Sequence, residues 1–89
     1  MKLNIIEDET KSLIVEFEGA DRAVAEMIKD RLLGNKDIEY VAVVKEHPDV
    51  GKPRLIVRSE SKNAKNLVLK AAEQIQDEIK ELISQIPKK

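Results

Sequence analysis

The sequence predicts an α+β fold of element order ββαββα, an antiparallel four-stranded sheet with two helices on one face and a long C-terminal helix. Three patterns indicate this fold. Alternating apolar and polar residues mark strands, apolar residues spaced by threes and fours mark helices, and polar or glycine-containing segments separate them. A chain of 89 residues is expected to form one domain, from residue 1 to residue 89, with a thin core.

The first two strands are predicted from residues 2–7 and 12–18, which form a β-hairpin around the polar turn EDETK. In both segments every second residue is apolar: Leu3 and Ile5, then Leu13, Val15 and Phe17. Alternation with a period of two is typical of a strand that has one buried face. We therefore expect these five side chains to lie on the core side of the sheet.

A first helix is predicted over approximately residues 21–33. Gly19 ends the preceding strand, and the carboxylate of Asp21 can accept hydrogen bonds from the first helical turn. Gly34 and Asn35 predict its end. Its apolar residues have helical spacing: Val24, Met27, Ile28 and Leu32. The alanines beside them would allow a second helix to approach closely, although the high helix propensity of alanine is an alternative reason for their presence.

The third and fourth strands are predicted from residues 38–45 and 54–59, which are rich in β-branched residues. The segment HPDVGKP connects them as a second, stiffened hairpin. Proline fixes φ and has no backbone N–H, so neither proline of this segment can occupy a central ladder. Four residues are predicted to have a structural role at this hairpin tip: His47, Pro48, Gly51 and Pro53. No second ionisable group with a shared role accompanies the histidine, which favours a structural hydrogen bond over catalysis.

The last helix is predicted over approximately residues 62–86 and ends before Pro87. Its apolar residues alternate steps of three and four: Ala64, Leu67, Val68, Ala71, Ala72, Ile75, Ile79, Leu82, Ile83 and Ile86. At ~1.5 Å per residue such a helix is about 36 Å long, whereas strands of five to eight residues span only about 17 to 27 Å. The helix should therefore extend beyond the sheet with its apolar stripe uncovered.

Burial of one such side chain contributes roughly 1.5 to 3 kcal/mol, which favours packing of the far end on helices of another chain. The alternative is that the helix curls over its own small domain and its end frays. On the first interpretation, the predicted partner interface comprises Val24, Met27, Ile28 and Leu32 in the first helix, with Ile75, Ile79, Leu82, Ile83 and Ile86 in the last.

Composition argues against most catalytic and membrane functions. Sixteen basic and seventeen acidic residues give a net charge of −1, which does not favour nucleic acid or an anionic lipid surface. The absence of cysteine excludes disulfides and thiolate sites and is consistent with a cytoplasmic location. We expect no secretion signal, because acidic residues follow the first apolar ones closely, and no membrane span, because no apolar run is long enough. With one histidine and no phosphate-binding glycine loop, we expect no catalytic residue, no metal and no cofactor.

The motifs taken together resemble a known family. A strand ending in EFEG, a helix, a strand with IEYVAVV, the segment HPDVGKPRLIV and a long amphipathic helix are similar to subunit L of archaeal RNA polymerase, over nearly the whole chain. Six residues match the family pattern around the second hairpin: Tyr40, His47, Pro48, Val50, Gly51 and Pro53. Asp49 stands where the family usually has leucine, and only Glu18, Gly19, Asp21 and a conservative Val24 remain of its first-helix motif.

This resemblance implies a non-catalytic assembly subunit. Members of the subunit L family pair through their helices with the larger, D-type α-like subunit of RNA polymerase, and the pair is the platform on which the large catalytic subunits assemble. Two alternatives remain. The changed first-helix motif favours a divergent ββαββα interaction domain that forms a homodimer or serves another complex. Lys52, Arg54 and Arg58 near the second hairpin suggest, more weakly, a small nucleic-acid-binding domain.

Overall fold

The computed structural model describes residues 2–18, 22–45 and 52–87. The elements are β1 (Lys2–Glu9), β2 (Ser12–Glu18), α1 (Arg22–Leu33), β3 (Ile38–Val44), β4 (Arg54–Ser59) and α2 (Ala64–Gln85). The predicted order ββαββα is confirmed, and both helices begin within two residues of their predicted starts.

The four strands form one antiparallel sheet in the order β1-β2-β4-β3. The two hairpins therefore lie side by side, with β2 and β4 in the centre and β1 and β3 at the edges. Val15 of β2 is opposite Ile5 of β1 and Leu55 of β4. The register of β1 shifts between Ile5 and Glu7, which is a β-bulge at an edge of the sheet.

The core lies between the inner face of the two central strands and the helices. Residues 12–18 alternate strictly between half-buried and buried positions, as their apolar alternation predicts. The buried apolar residues are Leu13, Val15, Phe17, Ala25, Leu32, Leu55, Val57, Ala64 and Ala71. Both helices contribute to this set, so the two helices cover the same face of the sheet.

Leu3 and Ile5 lie on the core side of the sheet, as predicted, but the buried face that the alternation implied is not buried at these two residues. Both side chains point to the inner side of the sheet, because Leu3 is opposite Phe17 and Ile5 is opposite Val15. They are nevertheless 51% and 54% exposed. The helices lie chiefly against β2, β3 and β4, so the inner side of β1 has no helix above it.

The start of α2 is attached to the first hairpin and to β4. The side chain of Asn63 accepts a hydrogen bond from the backbone N–H of Asn66 at 3.1 Å and so caps the helix. The N–H of Ala64 donates to the carbonyl of Thr10 at 2.8 Å, and the hydroxyl of Ser59 donates to the carbonyl of Lys62. The predicted cap of α1, Asp21, lies outside the described residues.

Candidate functional site

The long helix α2 divides into two halves that differ in burial. Its proximal half, residues 64–71, contains the buried Ala64 and Ala71 and packs on the core also through Leu67 and Val68. Its distal half, residues 72–85, contains no buried residue, and only Ile75 is half-buried. The distal half is regular helix to Gln85, so its apolar stripe is presented on an ordered surface.

The predicted interface residues of the last helix lie mostly on this uncovered surface. Ile79, Leu82 and Ile83 are 44%, 58% and 54% exposed, and Ile86, just after the helix, is 57% exposed. Together with the half-buried Ile75 they continue the stripe that the proximal half buries. The structure thus brings Ile75, Ile79, Leu82 and Ile83 together on one side of α2, with Ile86 directly after its end.

The predicted interface residues of α1 differ more strongly in their exposure. Met27 is 45% exposed, whereas Val24 and Ile28 are half-buried and pack on the core. Leu32 is only 1% exposed and is among the largest fully buried side chains. Leu32 therefore belongs to the chain's own core, and we leave it out of the contact surface proposed below.

An open apolar groove of about 630 Å³ lies between α1, α2 and the inner face of the sheet. Val15, Phe17 and Leu55 form its floor, and Leu3 of β1 lines it as well. Only Gln76 and Lys80 of its lining are polar. The lining residues contributed by the two helices are Val24, Met27, Ile28, Val68, Leu69, Ala72, Ile75, Gln76, Ile79 and Lys80.

A second open concavity lies on the other side of the distal half, between that half and the last turns of α1. Met27, Ile75 and Ile79 line both this concavity and the apolar groove. The guanidinium of Arg31 in α1 is paired with the carboxylate of Glu78 in α2. This ion pair links the distal half to α1.

Sequence reasoning missed part of this surface. Leu3 and Leu69 line the apolar groove and are 51% and 50% exposed, and Ala72 is exposed beside them. Period-two alternation placed Leu3 on the buried side of its strand, and helical spacing placed Leu69 off the main stripe. Neither pattern contains information about which side of the sheet lacks a helix, so no sequence signal identifies these residues as uncovered.

The predicted hairpin-tip residues are described only in part. His47, Pro48 and Gly51 lie outside the described residues. Pro53 is buried, and its carbonyl accepts a hydrogen bond from the N–H of Phe17 at 2.9 Å. Pro53 thus directly precedes β4 and is bonded to the end of β2, and its structural role at the hairpin tip stays a prediction.

The face of the sheet opposite the helices has a network of charges at one end. The guanidinium of Arg54 donates to the carboxylate of Glu16 at 3.1 Å, and the amide of Asn4 donates to both Glu16 and Glu18. The hydrogen bond from Arg54 is the main reason that the pKa of Glu16 lies below its usual value. Lys52 pairs with Glu18 at 3.5 Å. Two of the three cations that suggested nucleic-acid binding are therefore already paired within the chain.

Helix α1 has an ion-pair cluster on its solvent side. Lys29 and Arg22 both approach the carboxylate of Glu26, at 2.9 Å and 3.1 Å. These two partners, Lys29 first, lower the pKa of Glu26. The spacing of three and four residues is that of ordinary intrahelical pairs, which makes the cluster a feature of the exposed side of the helix.

Within residues 2–18, 22–45 and 52–87, no group of three or more histidine, cysteine, aspartate or glutamate residues could hold a metal ion. In the same part of the chain, no helix is long and apolar enough to cross a membrane. The candidate site is the uncovered apolar surface of the groove and the distal half of α2.

Comparison with known proteins identifies a family and similar solved structures. Residues 12–85 match the family model described as the RNA polymerase Rpb3/Rpb11 dimerisation domain. The fold is similar to the crystal structure of DNA-directed RNA polymerase subunit L from Thermoplasma acidophilum, with a TM-score of 0.83 and 20% sequence identity. That similarity covers 94% of this chain and 83% of the other. No curated protein matches the sequence of this chain.

Proposed function

The chain belongs to the RNA polymerase Rpb3/Rpb11 dimerisation-domain family, and we propose that it pairs with the larger, D-type α-like subunit of an archaeal-type RNA polymerase. Family membership makes it a non-catalytic, assembly-type domain that pairs with another polymerase subunit. The proposed pair would form the platform on which the large catalytic subunits assemble in the cytoplasm. The proposed contact surface consists of Met27 in α1, the apolar groove, and the distal half of α2 with Ile86.

The observation that carries this proposal is the uncovered apolar stripe of the distal half. Ile79, Leu82, Ile83 and Ile86 are each about half exposed while the helix around them is regular. Full burial of one such side chain contributes roughly 1.5 to 3 kcal/mol, so a partner that covers four of them gains a large part of its binding energy there. A surface of this kind is typical of an interaction site on a small domain.

The groove suits a helix of a partner chain. It is open, its floor is the apolar inner face of β2 and β4, and its two walls are helices. A helix presents apolar side chains at steps of three and four, which can enter such a groove as anchors while its polar side remains in water. The uncovered Leu3 at the rim would then be covered by the same partner.

The experiment is size-exclusion chromatography with light scattering, on the chain alone and co-expressed with the D-type α-like subunit from the same genome. We expect a one-to-one complex that Leu82→Asp and Met27→Asp weaken, because each places a charge against an apolar partner surface. Gln74→Asp is the matched control: position 74 is exposed on the polar side of the same helix, so this variant should pair normally.

Two results would contradict the proposal. A chain that stays monomeric with or without the D-type α-like subunit would show that the groove is not a pairing surface. A concentration-dependent homodimer that ignores that subunit would instead favour the divergent, self-associating interaction domain. Nucleic-acid binding has less support than either, because Lys52 and Arg54 are engaged with Glu18 and Glu16.

A further inference from the structure

The sheet has a second exposed surface, on the side away from both helices. We call it the outer face and define it by the residues that lie opposite one another in the register of the four strands. Ile14 is opposite Ile56, and Ile56 is opposite Ala42, so these three form one row across β2, β4 and β3. Arg58 is opposite Ser12 on one side and Tyr40 on the other, which gives the neighbouring row.

The centre of the outer face is apolar and open. Ile14, Ile56 and Ala42 are half-buried, although no helix covers them, because neighbouring side chains on the sheet shield them in part. Tyr40 and Val44 of the edge strand β3 are 49% and 40% exposed. The apolar row and the column along β3 meet at Ala42 and so form one continuous patch.

Charged side chains surround this patch, and they differ in whether they have a partner within the chain. The carboxylate of Glu7 accepts a hydrogen bond from the hydroxyl of Ser12, and Glu16 is paired with Arg54. Glu18 accepts from Asn4 and pairs with Lys52. Among the described outer-face residues of β2 and β4, Arg58 is the one charged side chain with neither an ion pair nor a side-chain hydrogen bond.

We propose that the outer face is a second protein-binding surface, and that its partner presents a carboxylate to Arg58 beside an aliphatic side chain that packs on Ile14, Ile56 and Tyr40. Arginine and tyrosine are the residue types that, with tryptophan, most often dominate the energy of protein interfaces. An exposed guanidinium next to an apolar patch can form a two-pronged pair with a carboxylate as the patch loses water.

This partner is distinct from the one that covers the helices. The outer face and the apolar groove lie on opposite sides of one sheet, so a single compact segment cannot contact both. The proposal therefore adds a second polypeptide to the pair described above, and it does not depend on the identity of the first.

A nucleic acid fits the outer face less well than an acidic protein segment. A phosphate backbone is held by several cations together, and two of the three cations of the described part of this face, Lys52 and Arg54, are already paired with Glu18 and Glu16. A single exposed tyrosine provides little stacking surface for bases. A partner carboxylate, by contrast, needs only one cation, and Arg58 provides it.

The test is site-specific photocrosslinking in the source cells, with p-benzoylphenylalanine at position 40 on the outer face or at position 82 on the distal half of α2. We expect position 40 to crosslink a polypeptide different from the one at position 82, through a peptide that contains aspartate or glutamate. Arg58→Glu should reduce the yield at position 40 about tenfold, and Arg58→Lys should retain most of it.

Control variants distinguish an effect on binding from an effect on folding. They also distinguish the outer-face proposal from the proposed pairing with the D-type α-like subunit. Lys70→Glu makes a similar change of charge on an exposed lysine of α2 and should leave the yield at position 40 unchanged. Thermal unfolding of Arg58→Glu should match that of the native chain, because Arg58 has no side-chain partner to lose within the described part of the chain. Loss of the crosslink at position 82 alone would overturn the pairing with the D-type α-like subunit and leave the outer-face proposal intact.

Four results would overturn the outer-face proposal. They are the absence of a crosslink at position 40 when position 82 reacts, a crosslink to nucleic acid, a crosslink to the same segment at both positions, and an equal yield with Arg58→Glu. The mass and the peptide map of the crosslinked product identify the first three results, and the amount of product gives the fourth.

Discussion

The proximal and distal halves of α2 have the same spacing of apolar residues but different surroundings. In the proximal half, Ala64 and Ala71 are buried against the sheet, and Asn63 and Thr10 fix the helix start by hydrogen bonds. In the distal half, Ile79 and Leu82 are about half exposed. Amphipathic spacing thus predicts that a helix has an apolar side, but it does not predict whether the same chain covers that side.

The largest expected effect comes from placing a charge in the proximal half. Ala71→Asp puts a carboxylate where the side chain is only 3% exposed, and an uncompensated buried charge costs about 3–5 kcal/mol. We expect this variant to lose most of its stability, since small domains have only about 5–15 kcal/mol in total. Urea unfolding followed by circular dichroism measures the change.

The neighbouring Ala72→Asp is the control for that experiment, because Ala72 is exposed in the distal half. It should fold nearly as the native chain does while weakening the pairing with the D-type α-like subunit. Equal destabilisation by the two variants would show that the chain buries both halves of α2, which would contradict the difference in burial described above.

The next effect concerns two adjacent leucines at the end of α1. Leu32 is 1% exposed and Leu33 is 62% exposed. Leu32→Ala should cost about 2–5 kcal/mol through the cavity that it leaves, whereas Leu33→Ala should change stability by less than about 0.5 kcal/mol. Urea unfolding curves of the two variants without a partner measure both changes in the free energy of unfolding. Similar values for both would return Leu32 to the partner interface, where the sequence placed it.

A smaller effect is expected from the cap of the proximal half. Asn63→Ala removes the acceptor of the Asn66 N–H and should destabilise the chain by about 1 kcal/mol. Asn66→Ala, one turn further along the helix, changes an exposed residue to a better helix former and should be neutral or slightly stabilising. Asn63→Ala should therefore lower the melting temperature and Asn66→Ala should not, and a shared decrease would contradict the capping role.

The smallest effect tests what holds the distal half. Arg31→Ala removes the ion pair with Glu78, which is solvent-exposed and contributes about 0.2–1 kcal/mol. Backbone amide exchange in residues 76–84 should become faster, and high salt should produce a similar change in the native chain. Arg22→Ala, which removes an ion pair within α1, should leave that exchange unchanged. Unchanged exchange in Arg31→Ala would show that apolar contacts alone hold this half.

The sequence predicts the fold well because its signals are local. Alternation in residues 12–18 corresponds to the buried positions of β2, and steps of three and four correspond to α1 and α2. Leu3 and Ile5 show where such signals end. Their alternation places them on the inner side of the sheet, as observed, but their exposure depends on where the helices lie over the sheet. That placement is a tertiary property with no local pattern.

The same distinction applies to the site. The exposed stripe of the distal half follows from length, because a helix longer than the strands has to extend beyond them. The burial of Leu32 and the exposure of Leu69 do not follow from length or spacing. They depend on the direction in which each helix crosses the sheet, and the local patterns of a single sequence do not specify this direction.

The unequal coverage of α2 has a consequence for the amounts in which subunits are made. Proteases and chaperones act on chains that expose apolar surface, and a copy without its partner shows them Leu82, Ile83 and Ile86 on an ordered helix. In the proposed pair, the partner would cover the same side chains. This stretch of helix would then mark surplus copies for removal, and the cell could keep two subunits in equal numbers without matching their synthesis.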